Sequence, residues 1–271
     1  METYGFNGRI LRVDLSTRNI TEEELSPILY RRYLGGGALS LYFLLNEIKP
    51  GVDPLGPDNV LVFAATAVTG HPATGFSRFS FAAKSPLTGG FGESEAGGWW
   101  GPELKFAGFD AIIVKGKADK TVYLSVKNGK AEIRDASHIW GQMTREAQET
   151  IRKDLGDDKV RVALIGPGGE KLVRYACILN ELKHANGRTG LGAVMGAKNL
   201  KAIAVRGDKK MALHNPDKVR ETVKAIAETW AKSPSTLGEL GTARGVMPLN
   251  AGGILPTRNF ITGAFEQAEA I

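Results

Sequence analysis

Cysteine and long apolar runs are nearly missing from this 271-residue sequence, and each absence excludes a class of protein. The single cysteine, Cys177, excludes a disulfide framework and any iron–sulfur cluster held by several thiolates of this chain. No apolar run approaches the ~20 residues that span a bilayer. Because the first residues also lack an apolar signal segment, we expect a cytoplasmic protein without a membrane partner.

Side chains suited to catalysis are scarce as well. No pair of carboxylates stands out, and there is no Gly-x-Ser-x-Gly motif. The histidines lack the mutual spacing of metal ligands; they are His71, His138, His184 and His214. Cys177 lies in an apolar stretch, which favours a packed thiol over a reactive one. Any chemistry is therefore expected to come from a bound cofactor.

The charge and the glycine content point to the kind of ligand. The formal net charge is +6, but the basic residues are scattered and lack the interleaved aromatics of nucleic-acid modules. We therefore expect no nucleic-acid partner, and a basic surface around a phosphate-bearing cofactor instead. The 34 glycines lie mostly in loops, which indicates close approach of the backbone to another group.

The pattern of elements from Gly8 to Gly116 recurs from Thr121 to Gly207. Each copy has a hairpin, an amphipathic helix, two strands, a loop of small residues, a short helix and a last strand. The loops are residues 94–98 and 184–188. Chance is the alternative, because the offset between the copies falls from about 112 to about 91 residues.

A true duplication predicts an α+β fold with a pseudo-two-fold base of β-sheets and helices. The two loops would then face each other as halves of one cradle, which suits a ligand with two similar halves. The sequence pattern of the two copies ends after residue 208, and a helix is expected from about Asn215 to Trp230. We therefore predict a first domain over residues 1–208 and the beginning of a helical second domain over 209–271.

Two glycine-rich segments resemble phosphate-binding loops. Residues 166–171 follow a strand but lack the ending of a P-loop, so a glycine turn before the next strand is favoured. Residues 187–196 space their glycines one residue away from a dinucleotide fingerprint. Their glycines and Arg188 nevertheless suit an anion, and Arg78 is expected to play the same part in the first copy. The pair Trp99–Trp100 is read as core packing, with a ligand platform as the alternative.

Several motifs, in one order, resemble the N-terminal part of the aldehyde:ferredoxin oxidoreductase family. They are GRILRVDLS (8–16), SPLTG (85–89), ELKFAGFDA (103–111), IRDASHIWG (133–141) and GLGAVMG (190–196). The resemblance covers about residues 4–208. It implies a domain that binds tungsten, or molybdenum, chelated by two molybdopterin-type ligands.

The resemblance also implies the residues that hold this bis-pterin cofactor. One pterin would lie near Arg78, Glu95, Ala96 and Gly97, and the other near His184, Ala185, Gly187 and Arg188. The main-chain carbonyls of Glu95 and Ala185 would hold a magnesium ion that bridges the pterin phosphates. Glu95 and His184 stand where relatives carry Asn and Arg, which puts any side-chain role there in doubt.

The implied activity is the oxidation of an aldehyde to a carboxylic acid, with ferredoxin as electron acceptor. Relatives are several hundred residues longer and hold a [4Fe–4S] cluster in that remainder, so this chain is expected to be inactive without it. Either this chain is a fragment of such a protein, or a separate polypeptide supplies the missing domains; the full-length form is expected to be a homo-oligomer. The alternatives are a non-catalytic pterin-binding or assembly module and a nucleotide-binding domain.

Overall fold

The computed structural model describes residues 4–232 and 236–271. The chain divides into two compact units, Met1–His214 and Asn215–Ile271. All twelve strands found in the described residues belong to two six-stranded sheets in the first unit. No described helix is both long and apolar enough to cross a membrane.

The first sheet has the strand order β2-β1-β6-β3-β4-β5. Its strands are β1 (Arg9–Asp14), β2 (Asn19–Glu24), β3 (Leu61–Ala65), β4 (Phe79–Lys84), β5 (Phe91–Ala96) and β6 (Ala111–Lys115). Strands β1 and β6 are parallel, and the other neighbours are antiparallel. Strand β5 is therefore the edge strand that ends beside the start of β4.

The second sheet repeats this topology strand for strand. Its strands are β7 (Val122–Lys127), β8 (Lys130–Asp135), β9 (Arg161–Leu164), β10 (Ile178–Asn180), β11 (His184–Asn186) and β12 (Leu200–Arg206), in the order β8-β7-β12-β9-β10-β11. Only β7 and β12 are parallel, as their counterparts β1 and β6 are. Identical order and identical strand directions confirm the predicted duplication.

Two helices occupy matching places in each half. The first half has α1 (Pro27–Tyr33), α2 (Gly36–Glu47) and α3 (Trp100–Phe106); the second has α4 (Thr144–Leu155), α5 (Pro167–Glu170) and α6 (Leu191–Ala197). Helices α2 and α4 follow the first hairpin, and α3 and α6 precede the last strand, whereas α1 and α5 have no counterpart among the described helices. At the start of helix α4, Glu146 accepts a hydrogen bond from the Met143 N–H, and Gly156 ends the helix with φ 63°.

The core forms three layers, because successive side chains of each strand lie on opposite faces of the sheet. The central cluster joins the inner faces of both sheets to α3 and α6, with Phe63, Trp100 and Ile203 among its members. The outer face of the first sheet packs on α1 and α2, and that of the second sheet packs on α4. The central strands β3, β4, β6, β7 and β12 are therefore buried on both faces.

Lys105 and Lys198 are fully buried and are held by main-chain carbonyls around this core. Lys105 donates to the carbonyls of Gly5 and Thr66, the latter at 2.8 Å. Lys198 donates to the carbonyls of Pro57 (3.2 Å) and Gly116 (3.0 Å), so it links the two halves. Burial away from water lowers the pKa of each ammonium group to about 8.

Some predicted elements differ from the observed ones. Residues 94–96 and 184–186 are not loops: residues 94–96 form the end of β5 and residues 184–186 form the whole of β11, because pairing with β4 and β10 satisfies their backbone. Residues 167–170 form the helical turn α5 and not a simple glycine turn. Cys177 is half-buried and lies outside the core, since strand β10 begins only at Ile178.

The second unit is mostly helical. It contains α7 (Pro216–Lys232), α8 (Thr236–Leu240) and α9 (Val246–Ala251). The Asn215 side chain accepts a hydrogen bond from the Lys218 N–H at 2.9 Å and caps α7, as predicted. None of the described residues of helix α7 is fully buried.

Candidate cofactor-binding site

The strand register assigns equivalent residues in the two halves. The cross-strand pairs run Ala111–Ala64–Ser80–Glu95 in the first sheet and Ala202–Leu164–Leu179–Ala185 in the second. Glu95 and Ala185 therefore occupy the same position in the two edge strands. Counting onward, Gly97 corresponds to Gly187, so the two segments selected from the sequence match residue for residue.

The ends of the two edge strands lie side by side. The Asn186 side chain donates to the Ser94 carbonyl at 2.7 Å, and the Arg188 N–H donates to the Ser94 hydroxyl at 3.0 Å. The Thr189 hydroxyl donates to the Glu93 carbonyl at 3.3 Å. Residues 94–98 and 184–188 therefore meet, as expected for two halves of one cradle.

Most of the predicted site residues face solvent in the protein alone. The exposed ones are Arg78, Glu95, Ala185, Gly187 and Arg188. Gly97 and His184 are half-buried, and Ala96 is buried. Because Gly187 has no side chain, its exposed surface is main chain that a ligand can reach.

Both candidate anion anchors are free. Among residues 4–232 and 236–271, neither the Arg78 nor the Arg188 guanidinium has a hydrogen-bonding or ionic partner. Their places in the two halves are not equivalent, although the sequence pattern suggested that they were. Phe79 corresponds to Ile178, so Cys177 matches Arg78, and Arg188 matches Gly98. The two cations therefore reach the strand ends from different strands.

Space beside two glycines fits a ligand that approaches the backbone. An added Cβ at Gly97 would meet only the Ser77 hydroxyl, at 3.5 Å, and one at Gly187 only the Ala185 Cβ, at 3.9 Å. Neither has a left-handed φ, so neither packing nor backbone conformation requires glycine there. Open backbone beside two free guanidinium groups is what a phosphate-bearing ligand needs, so these residues fit a phosphorylated cofactor.

Trp99 and Trp100 have different environments. Trp100 is fully buried and donates its indole N–H to the Ile203 carbonyl at 2.9 Å, which confirms core packing for this residue. Trp99 is 57% exposed, and its ring lies 5.9 Å from the Arg161 guanidinium carbon. Because Trp99 directly follows the first cradle segment, it lies at the edge of the candidate site.

Three neighbouring residues were not selected from the sequence. Asn180 and Asn186 are fully buried, and the side-chain oxygen of each has no hydrogen-bond donor among the described residues. Glu181 accepts a hydrogen bond from the Trp99 N–H at 2.6 Å. The hydrogen bonds of Glu181 to Trp99 and of Asn186 to Ser94 join segments far apart in sequence, so no local pattern predicts them.

The competing phosphate-loop candidate has a structural role. Within residues 166–171, Glu170 forms an ion pair with the fully buried Lys201, whose ammonium also donates to the Gln142 carbonyl at 3.1 Å. A buried carboxylate with its own cation makes a poor phosphate site. No cluster of three or more His, Cys, Asp or Glu side chains able to hold a metal ion is found in the part of the chain that the structure describes.

Comparison with known proteins shows the family to which this chain is similar. The family model described as "Aldehyde ferredoxin oxidoreductase, N-terminal domain" matches residues 10–207. The tungsten-containing aldehyde ferredoxin oxidoreductase of Pyrococcus furiosus is 47% identical over 268 residues, which are 98% of this chain and 44% of that protein. An aliphatic sulfonate oxidoreductase, WOR-like subunit, of the same organism is 36% identical over 261 residues, covering 89% of this chain and 41% of the relative.

A solved structure is similar throughout the chain. The active-site complex BamBC of benzoyl coenzyme A reductase, solved with 1,5-dienoyl-CoA, matches with a TM-score of 0.81 and 36% identity. The match covers 94% of this chain and 36% of that one. This chain belongs to the aldehyde ferredoxin oxidoreductase family, and it spans less than half the length of the relatives that it matches.

Proposed function

We propose that this chain is the cofactor-binding N-terminal portion of an oxidoreductase that carries tungsten, or molybdenum, between two pterin molecules. The observation that supports it most is the matched pair of open strand ends, with Gly97 and Gly187 in equivalent places in two sheets of one topology. The names of the relatives supply the metal and the reaction class. Pterin and phosphate groups are the chemistry that such a cradle suits.

In this proposal each half of the cradle holds one pterin. Arg78 and Arg188 donate to the phosphates, because a guanidinium offers two parallel N–H groups. Main-chain groups of residues 95–97 and 184–187 complete the contacts, and the carbonyls of Glu95 and Ala185 hold the magnesium ion. When bound, the metal supplies the oxidation–reduction chemistry. The chain's own residues bind it through the pterins and orient it.

The reaction proposed for the whole enzyme converts an aldehyde and water into a carboxylic acid, two protons and two electrons. The electrons pass through a [4Fe–4S] cluster to ferredoxin. Cys177 alone cannot hold that cluster, so its ligands and the substrate pocket would lie in the portion of the relatives that this chain does not match. The named activities of relatives include aldehyde and aliphatic sulfonate oxidoreductases. We propose that the portion which this chain does not match sets the substrate class.

Metal and pterin analysis tests the proposal. The chain would be produced anoxically in a tungsten-supplied host, joined to or together with a polypeptide carrying the remaining length of a relative. We expect about one tungsten or molybdenum atom and two pterins per protein, with aldehyde-dependent viologen reduction. Metal and pterin without turnover would favour a non-catalytic assembly module. Bound adenine nucleotide in place of pterin would contradict the proposal and indicate a nucleotide-binding domain.

The two free arginines provide a sharper test of the site. Arg78→Ala and Arg188→Ala should each reduce cofactor affinity by about ten- to a hundredfold, since a charge-assisted hydrogen bond contributes about 1.5–3 kcal/mol. Arg145→Ala, at an exposed position on α4, is the matched control. Full cofactor occupancy in both arginine variants at limiting tungstate would show that Arg78 and Arg188 do not bind the cofactor.

A further inference from the structure

The first-half segment 95–98 is held at both ends by side chains of the second half. Before it, the Ser94 carbonyl accepts a hydrogen bond from the Asn186 side chain at 2.7 Å. After it, the Trp99 N–H donates to the Glu181 carboxylate at 2.6 Å. These two contacts cross the boundary between the duplicated halves at the point where both edge strands end.

Glu181 lies in a strained turn. Asn180 and His184 form the last pair of β10 with β11, and the turn between them places Glu181 at φ 54° and Leu182 at φ 63°. Two consecutive non-glycine residues in the left-handed region are costly and persist only where their surroundings impose them. The bond to Trp99 is one such constraint, because it fixes the Glu181 carboxylate against the opposite half.

Asn186 marks a departure from the two-fold pattern. Its counterpart in the first half is Ala96, whose side chain can neither donate nor accept a hydrogen bond. Asn186 is fully buried, and a buried amide is costly unless it is hydrogen-bonded. The link to Ser94 therefore runs one way, from the second half to the first. Gly98 adds to the tight fit, since a Cβ there would lie 2.5 Å from the Asn180 side-chain oxygen.

We propose that Glu181 and Asn186 are positioning residues that fix the backbone of residues 95–98 relative to residues 184–187. This inference rests on the proposed function, in which main-chain groups from both segments hold one cofactor. A ligand that bridges two strand ends binds well only if their spacing is already correct, because ordering them on binding would cost affinity. The side chains act on the cofactor through the backbone and do not touch it.

Three variants separate positioning from general stability. Glu181→Ala removes the acceptor, Glu181→Gln keeps an oxygen acceptor without the charge, and Asn186→Ala removes the donor. Glu149→Ala, at an exposed position on α4, is the control. Each would be made in the cofactor-loaded enzyme used above and measured by amide hydrogen exchange of peptides covering 91–100, by tungsten and pterin content, and by the tungsten(V) electron paramagnetic resonance spectrum.

We expect Glu181→Ala and Asn186→Ala to raise exchange in this segment and to lower cofactor content at limiting tungstate by about five- to tenfold, with an altered tungsten(V) spectrum. Glu181→Gln should retain wild-type values, because its amide oxygen still accepts from Trp99. The proposal is overturned if exchange rises while content and spectrum stay unchanged, or if Glu181→Gln is as impaired as Glu181→Ala. If Asn186→Ala does not fold, the comparison of Glu181→Ala with Glu181→Gln tests the proposal.

Failure of the proposed function would look different. A wild-type protein without tungsten, molybdenum or pterin would refute the function, and with it the role of the two side chains toward that cofactor. The exchange measurement would still show whether they hold segment 95–98. Wild-type cofactor content with unchanged exchange and spectra in all variants would refute the positioning role alone.

Discussion

Replacing Gly97 or Gly187 with alanine should leave the domain folded and reduce its cofactor content. At both positions the new methyl group would enter open space, with no protein atom closer than 3.5 Å at Gly97 and 3.9 Å at Gly187. The same space is where a ligand would have to lie to reach the main chain of residues 95–97 and 184–187. Stability and binding should therefore change in opposite directions.

The expected magnitudes follow from the contacts. Without strain in the folded state, Gly→Ala raises the free energy of unfolding by about 0.4–1 kcal/mol, because it restricts the unfolded chain. A methyl group forced into a well-packed contact costs about 1–3 kcal/mol, which corresponds to a five- to 150-fold loss of cofactor affinity. Gly207 gives the contrast: an added Cβ would lie 2.0 Å from backbone atoms of Phe106 and Ala107, so Gly207→Ala should destabilise by about 3 kcal/mol or more.

Thermal unfolding and metal content at graded tungstate concentrations would measure the two effects in the same preparations. Gly168→Ala is the matched control, because Gly168 also has open space and no left-handed φ but lies in α5, outside the two strand ends. It should gain stability and keep full cofactor content. Undiminished tungsten and pterin in both Gly97→Ala and Gly187→Ala would refute the reading of this open space as a ligand cradle.

Three further predictions concern the first unit and the isolated chain. Trp100→Phe should lower the free energy of unfolding by about 2 kcal/mol, and Trp99→Phe should change it by less than about 0.5 kcal/mol, measured by denaturant unfolding. Lys105 and Lys198 have a pKa of about 8 when folded against 10.5 for a free lysine. The unfolded chain therefore binds more protons between these values, so stability should rise from pH 8 to pH 10.5, less steeply in Lys105→Met. Residues 1–271 alone should show neither an iron–sulfur absorption band nor aldehyde-dependent viologen reduction, because Cys177 is the sole thiol.

The duplication could be predicted from the sequence because each half repeats the same short-range patterns. Alternating strands, the amphipathic helix and the last strands ending at Gly116 and Gly207 recur in one order, and each is a short-range signal. The segments 94–96 and 184–186 were predicted as loops because small and polar residues have low strand propensity. They are strands in the structure, since pairing with β4 and β10 outweighs that local preference.

Equivalence between individual residues needed the register of the strands. Loops of different length shift the offset between the halves, so sequence order alone pairs Arg78 with Arg188, whereas the sheets pair Arg78 with Cys177. The contacts of Glu181 and Asn186 are long-range and have no sequence signal. These contacts form because the two edge strands lie side by side in the folded domain.

The register also shows how far the symmetry of the cradle extends. Main-chain positions match at Glu95 with Ala185 and at Gly97 with Gly187, while the side chains at neighbouring equivalent positions differ, as Ala96 does from Asn186. A ligand with two similar halves would thus meet the same backbone twice but different side chains. It follows that the two glycine variants should weaken binding to a similar degree, whereas nothing in the fold requires the two arginine variants to do so. Equal losses at the glycines and unequal losses at the arginines would be the signature of a cradle that is two-fold in its backbone alone.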